Sequence, residues 1–176
     1  MIDPTRKLAR LSFNGTRAEL LGEAGEAGRA LAKTLDQASA ALASEMVGGA
    51  QRLLEMTVDY AKTRVQFGRP IGSFQAIKHK CADMLLELEL ARSSAGYAAE
   101  AAESADDEFP AVASLAKAQG SDAFLHIAAE SIQIHGGLGF TWEQDVHLYF
   151  KRAKASEALL GDPTFHRERL ARHWGL

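Results

Sequence analysis

Residues 64–84 read Arg-Val-Gln-Phe-Gly-Arg-Pro-Ile-Gly-Ser-Phe-Gln-Ala-Ile-Lys-His-Lys-Cys-Ala-Asp-Met, a stretch that contains a helix end, a tight turn and a helix start. Gly68 provides the permissive backbone with which a chain leaves a helix, and Pro70 disfavours helical angles at the residue before it. Gly72 lets the chain reverse, and Ser73 can cap the next helix. The stretch therefore predicts two helices joined by a short corner, whose polar side chains are either solvated or ligand-binding.

Apolar residues spaced three and four apart continue on both sides of this corner and predict long helices. The helices are expected over residues 30–66, 74–104, 110–133, 141–160 and 164–173. Thr141 is the expected cap of the fourth helix, and Gly48-Gly49 inside the first predicts a close helix crossing. The pattern as a whole predicts an all-α protein: an antiparallel four-helix bundle followed by one short helix.

Residues 7–13 differ from the rest of the chain, because apolar and polar residues alternate there with the period of a strand. Asn14-Gly15 follows as a turn, and the sequence shows no second strand downstream. A single strand cannot form a sheet, because its backbone groups have no partner. We therefore expect either that this strand pairs with another chain, or that the sequence is a fragment that has lost its sheet.

The composition argues against several classes of function. Of the 176 residues 47% are hydrophobic and 7% aromatic, and the net charge of −3 gives no basic footprint for nucleic acid. Cys81 is the single cysteine, which excludes an internal disulfide and fits a reducing compartment. No apolar run has the length of a membrane span, and no cluster has metal-ligand spacing. We expect a cytoplasmic protein with no metal site and with neither nucleic acid nor membrane as a partner.

Two stretches resemble the flavin-contacting signatures in the C-terminal helical domain of acyl-CoA dehydrogenases. The first is Arg64-Val-Gln-Phe-Gly-Arg-Pro-Ile with the following Phe74-Gln75 and His79, and the second is Gln133-Ile-His-Gly-Gly-Leu-Gly-Phe-Thr141. The distance between the two stretches also matches the family. The resemblance extends from about residue 7 to the C-terminus, and its finer likeness is to the actinobacterial enzymes of sterol side-chain and long-chain fatty acid degradation.

The resemblance implies a domain organisation. Full-length enzymes of this family have an N-terminal helical domain, a middle β domain and a C-terminal bundle. Residues 1–22 would then be a remnant of the middle β domain with its linker, and residues 23–176 the C-terminal helical bundle domain. We expect this chain alone to be inactive and to hold FAD poorly.

The resemblance also implies a chemistry. Family members are FAD-dependent oxidoreductases that form a trans-2-enoyl-CoA from an acyl-CoA thioester: a carboxylate takes the α-proton and the flavin accepts the β-hydride. The implied partners are an acyl-CoA substrate, further subunits in a homo- or hetero-oligomer (a dimer or tetramer), and an electron-transfer flavoprotein.

The resemblance to this flavoprotein family implies six FAD-contacting residues in this chain. Arg64 matches the arginine that pairs with the FAD pyrophosphate. Phe67 and Gln75 match neighbours of the adenosine half, and Phe74 stands where many relatives have histidine. The remaining matches, from the loop that contacts FAD across the subunit boundary, are Gln133, Gly136 and Gly137.

The catalytic base is where the sequence departs from the family. A gapless register places Leu160 where many relatives have the catalytic glutamate, whereas a two-residue slip places Asp162 there. Relatives with their base on the first long helix have it where this chain has Ala38. Asp162 can also cap the last helix, since it precedes a proline. We favour the gapless register, which makes the chain similar to the non-catalytic partner in heteromeric acyl-CoA dehydrogenases.

Two other interpretations remain open on the sequence alone. The chain could be a structural helical subunit that binds neither FAD nor substrate. It could also be a stand-alone four-helix bundle with an unrelated role.

Overall fold

The computed structural model describes residues 2–104 and 106–176, and nearly all of the regular secondary structure in that part of the chain is helical. Its α-helices are α1 Ala27–Thr63, α2 Gln75–Ser104, α3 Phe109–His135, α4 Val146–Ala158 and α5 Pro163–His173. The predicted all-α four-helix bundle is confirmed, with α5 as the short additional helix. None of these helices is long and apolar enough to cross a membrane.

Helix α3 is the centre of the bundle, and it packs against α1, α2, α4 and α5. Its side chains are small where another helix approaches, as at the fully buried Ala113 and Ala116. The predicted close crossing lies at Gly49 of α1, where a Cβ atom would stand 2.7 Å from the Phe124 ring. The apolar core therefore depends on small residues that let the helices approach closely.

The Ala-rich end of α2 is used inside the chain. Ala91, Ala95, Ala98 and Ala101 are buried, and they belong to the face of α2 that packs against its neighbours within the bundle. Their small side chains let α2 approach its neighbours closely within the bundle.

The corner between α1 and α2 has the predicted helix end, turn and helix start, and it also contains two short strands that the sequence did not predict. Strands β1 Val65–Gln66 and β2 Arg69–Pro70 pair antiparallel, followed by a 3₁₀ turn at Ile71–Ser73. Phe67 and Gly68 form the tip of this hairpin, both at positive φ, as its two-residue turn requires. A ladder of two residues leaves almost no periodic signal, which is why the prediction missed it.

Residues 7–13 pair with no backbone among the described residues, and their side chains are exposed. This agrees with the expectation that a strand here needs a partner outside the chain, and the strand itself stays a prediction. The predicted start of the fourth helix, in contrast, is wrong. Helix α4 begins at Val146, not at 141, because Gly136–Phe140 form a 3₁₀ turn first. The hydroxyl of Thr141 donates back to the carbonyl oxygen of Leu138 at 3.0 Å, so it closes that turn and caps no helix.

The first residues of the described chain are held against α1 and α4 by charged side chains. Asp3 is 1% exposed and accepts bonds from Thr5 and from Arg152, whose Nη1 lies 3.2 Å from Asp3 Oδ2. Burial opposes ionisation of this carboxyl, but the bonds from Thr5 and Arg152 outweigh it and lower the pKa of Asp3. Arg6 contacts Ser156 and Glu45 in the same network.

Candidate functional site

A cleft of about 460 Å³ lies where the C-terminal ends of α1 and α3 meet. It is lined by Tyr60, Arg64, Gln66, Ile71, Ile134, His135, Gly136, Gly137 and Leu138. The first signature supplies Arg64 and Gln66 and the second supplies the glycines, so folding brings the two signatures to one place. No carboxylate belongs to this lining, which therefore contains one fixed positive charge and neutral groups.

The position of Arg64 is fixed by its backbone. It follows the last residue of α1, its N–H donates to the carbonyl oxygen of Tyr60 at 2.8 Å, and its own carbonyl oxygen accepts from Ile71 N–H at 2.8 Å. The side chain is exposed, and none of the ion pairs within the described part of the chain involves it. A guanidinium held in this way can form two parallel bonds to a phosphate or carboxylate.

The three glycines after α3 have different reasons to be glycine. Gly136 has φ +61°, which a side chain disfavours. A Cβ atom on Gly139 would lie 3.0 Å from the carbonyl oxygen of Ile132, so packing requires glycine there. Gly137 has neither constraint, since its φ is not positive and a Cβ would meet no atom within 4 Å. The missing side chain at Gly137 leaves space in the cleft, which suits a ligand that approaches the backbone.

Two aromatic rings form the floor of the cleft. The rings of Tyr60 and His135 are stacked, with centroids 4.2 Å apart and an angle of 20° between their planes. His135 is 4% exposed, and its Nδ1 lies 2.8 Å from the carbonyl oxygen of Ser131. Burial lowers the pKa of His135, so the ring is neutral near pH 7.

The cleft brings together Arg64, Gly136 and Gly137, whereas Phe67, Gln75 and Gln133 lie outside its lining. Phe67 is 91% exposed at the hairpin tip and meets Phe74 edge-on, with ring centroids 6.1 Å apart. Gln75 begins α2, and Gln133 is exposed in the last turn of α3. These three side chains are available to solvent or to a ligand that extends beyond the cleft.

Tyr60 and His135 line the cleft but were not predicted as site residues from the sequence. Tyr60 lies four residues before Arg64, on the same side of α1, and His135 directly precedes the paired glycines. The closeness of both residues to the two signatures was the signal that could have identified them as site residues.

None of the three positions considered for a catalytic base lines the cleft. Leu160 has φ +63°, and its carbonyl oxygen lies 3.1 Å from His166 Nε2. Asp162 is the N-cap of α5, and its Oδ1 accepts from the Phe165 N–H at 2.8 Å. The structure thus gives Asp162 the cap geometry that the sequence allowed. Ala38 is half-buried in α1.

The chemistry of the cleft fits one end of a phosphate-bearing dinucleotide such as FAD. The Arg64 guanidinium provides a bidentate donor for a phosphate, and Gly137 leaves room for close approach to the backbone. Because its lining contains no carboxylate, the cleft itself does not provide the carboxylate base that the resemblance implies.

Comparison with known families identifies the helical fold. Residues 11–175 match the family described as acyl-CoA dehydrogenase, C-terminal domain. Among curated relatives, acyl-CoA dehydrogenase IpdE2 of Mycobacterium tuberculosis is 46% identical over 162 residues, which are 92% of this chain and 46% of that protein. Acyl-CoA dehydrogenase FadE34 of the same organism is 42% identical over 88% of this chain and 21% of its own length. The chain thus spans about half the length, or less, of these two relatives.

Solved structures show the same likeness. Butyryl-CoA dehydrogenase from Megasphaera elsdenii superposes with a TM-score of 0.81 at 31% identity, covering 85% of this chain and 39% of that one. The ChsE4-ChsE5 complex from Mycobacterium tuberculosis gives a TM-score of 0.77 at 30% identity, over 86% of this chain and 40% of the matched chain.

Proposed function

The chain belongs to the acyl-CoA dehydrogenase family through its C-terminal domain, and we propose that it contributes FAD contacts and an oligomer interface to an FAD-dependent acyl-CoA dehydrogenase. The reaction is the α,β-dehydrogenation of an acyl-CoA thioester, for which bound FAD supplies the hydride acceptor. The observation that carries this proposal is the cleft in which Arg64 faces the paired glycines.

Arg64 is proposed to bind the FAD pyrophosphate. Its backbone is held on both sides by hydrogen bonds, so the binding of a phosphate does not have to order the backbone at this residue. Arginine suits this role better than lysine, because its planar group can donate two parallel bonds.

Gly136 and Gly137 are proposed to let the cofactor approach the chain at the end of α3. Phe67 and Gln75 would contact the adenosine half, and Gln133 would contribute from the last turn of α3. The exposure of these three side chains leaves them free for such contacts.

The proton-abstracting carboxylate is proposed to come from another part of the complete enzyme. Leu160 has no ionisable group, and the carboxylate of Asp162 is engaged at the start of α5. The likeness to a chain of the ChsE4-ChsE5 complex supports a heteromeric assembly. In such an assembly, this chain would contribute contacts and another subunit the base. An electron-transfer flavoprotein is proposed as the electron acceptor, and the names of the relatives support an acyl-CoA substrate.

The surface next to the cleft supports an oligomer interface. Phe67, Phe140 and Trp142 are 91%, 73% and 79% exposed, and all three lie in the segments that follow α1 and α3. Contiguous exposed apolar patches mark interaction surfaces, and we propose that these three side chains belong to one. We propose that residues 23–176 form the bundle domain, and that residues 1–22 connect it to a β domain.

Flavin content tests the proposal. The chain would be tagged, expressed in its own host and recovered with its natural companions, and the visible absorption of the purified assembly would be measured with and without acyl-CoA. We expect a flavin spectrum that bleaches with acyl-CoA. Arg64→Ala should weaken FAD binding by about 10- to 150-fold, the equivalent of losing one charge-assisted hydrogen bond of about 1.5–3 kcal/mol.

Arg52→Ala is the matched control, since Arg52 is an exposed arginine of α1 outside the cleft lining. It should leave flavin binding unchanged. An assembly without flavin, or one in which Arg64→Ala retains FAD as well as Arg52→Ala does, would contradict the proposed function.

A further inference from the structure

The stacked pair of Tyr60 and His135 joins the two halves of the cleft. Tyr60 lies in the last turn of α1, and its carbonyl oxygen accepts the N–H of Arg64 at 2.8 Å. His135 is the last residue of α3 and directly precedes Gly136. The stack is therefore a direct link between the helix end that presents Arg64 and the helix end that presents the glycines.

The link is held by a hydrogen bond at its His135 end. Nδ1 of His135 lies 2.8 Å from the carbonyl oxygen of Ser131, which can only accept, so Nδ1 carries the proton in the neutral ring. The hydroxyl of Tyr60 lies 3.5 Å from the carbonyl oxygen of His135, a distance at which a hydrogen bond contributes little. The contact between the two rings is thus the main direct connection.

The stack lies at the edge of the apolar core, beside the cleft. Both side chains line the cleft, and Tyr60 is only half-buried. The apolar core around Met46, Leu53 and Phe124 holds α1 against α3 further along the helices. At the cleft, the separation of the two helix ends depends on what fills the space between them, and the two rings fill it.

We propose that Tyr60 and His135 are positioning residues that set the distance between the Arg64 guanidinium and the Gly136-Gly137 backbone. This inference rests on the proposed function, because the distance matters only if a phosphate is bound between these groups. Neither residue needs to touch the phosphate, since each acts through the group that follows it in the chain.

The test is a double-mutant cycle on FAD affinity in the assembly recovered with the tagged chain. Tyr60→Phe retains the ring and should bind FAD within about threefold of the unaltered protein. Tyr60→Leu and His135→Leu remove the stack, and each should weaken FAD binding by roughly three- to tenfold. Thermal unfolding of every variant would be measured in parallel.

The cycle distinguishes positioning from general stability. If Tyr60 acts through Arg64, Tyr60→Leu should weaken FAD binding much less when Arg64 is already alanine. Additive effects, or a loss of FAD affinity in Tyr60→Phe equal to that in Tyr60→Leu, would overturn the inference. Unchanged FAD affinity in both leucine variants would overturn it as well.

The results that would overturn the positioning role can be distinguished from those that would contradict the proposed function. If Arg64→Ala alone weakens FAD binding and the leucine variants do not, the cleft binds FAD and the positioning role is wrong. If Arg64→Ala has no effect, the proposed function itself is contradicted, and the inference falls with it.

Discussion

The ammonium group of Lys117 on α3 donates a hydrogen bond to the carbonyl oxygen of Gly161, 2.9 Å away in the turn between α4 and α5. It also donates to the carbonyl oxygen of Glu157, at 3.2 Å, and to the hydroxyl of Ser121. Lys117 is completely buried, and burial lowers its pKa to about 8 despite the opposing charges of Glu157 and Asp162. One buried lysine thus satisfies carbonyl groups that the end of α4 leaves without partners.

Lys117→Met should destabilise the protein by about 1–3 kcal/mol, because two partly buried carbonyl oxygens lose their donor. Denaturant unfolding measures the change. Lys62→Met is the control: Lys62 is an exposed lysine whose side chain retains 71% of its accessible surface, and its replacement should change stability by less than about 0.5 kcal/mol. Equal stabilities of the two variants would show that Lys117 does not hold the turn.

His166 should make stability depend on pH. Burial lowers its pKa to about 4, helped by the nearby charge of Lys117, and Asp36 and Arg169 also act on it. Because the unfolded histidine titrates near 6.5, its contribution is fully present above that pH and is lost as the pH falls towards 4. The unfolding free energy should fall by up to about 1.4 kcal/mol per pH unit in this window.

His166→Gln isolates this effect, since glutamine can still donate to the carbonyl oxygen of Leu160. The difference in unfolding free energy between the two proteins should change between pH 6.5 and pH 4, and carboxylates such as Asp3 cancel in that difference. If the unfolding free energies of the two proteins change in parallel with pH, His166 is not the source of the pH dependence.

Asp162 should behave as a helix cap. Asp162→Asn should leave the unfolding free energy nearly unchanged, whereas Asp162→Ala should lower it by about 1 kcal/mol. Activity of the complete assembly should be retained in Asp162→Asn. A loss of activity by orders of magnitude, with flavin content and melting temperature unchanged, would instead identify Asp162 as the base.

The N-terminal segment should depend on Arg152. This side chain contacts Asp3 and Thr5 from α4, and it also lies 2.9 Å from Glu45. Arg152→Met would leave the carboxylate of Asp3 without its ion-pair partner, so residues 2–6 should leave the bundle. Hydrogen exchange should then be faster in these residues and unchanged in α3, whereas uniform exchange rates would contradict this.

Local sequence signals were sufficient for much of the fold and for half of the candidate site. Gly68 and Pro70 define the corner, because their backbone preferences act within a few residues. Long-range contacts were not predictable in this way: Tyr60 meets His135 from 75 residues away. The role of Lys117 was not predictable from local signals either. A single lysine in an apolar helix is expected at the surface, and only the packing of α3, α4 and α5 shows its partners.

The FAD affinity of Gly137→Leu, in the assembly recovered with the tagged chain, tests directly whether the cofactor occupies the cleft. Nothing within the described chain requires glycine at 137, so a leucine side chain should fill the cleft without disturbing the fold. Gly96→Leu is the matched control, because Gly96 is an exposed glycine of α2 that also has no neighbour within 4 Å of a Cβ position.

We expect Gly137→Leu to weaken FAD binding by more than about tenfold, or about 1.4 kcal/mol, with a melting temperature close to that of the unaltered protein. Gly96→Leu should bind FAD normally. If Gly137→Leu retains full FAD affinity, the cofactor does not occupy the cleft between α1 and α3, and the proposed FAD site is wrong.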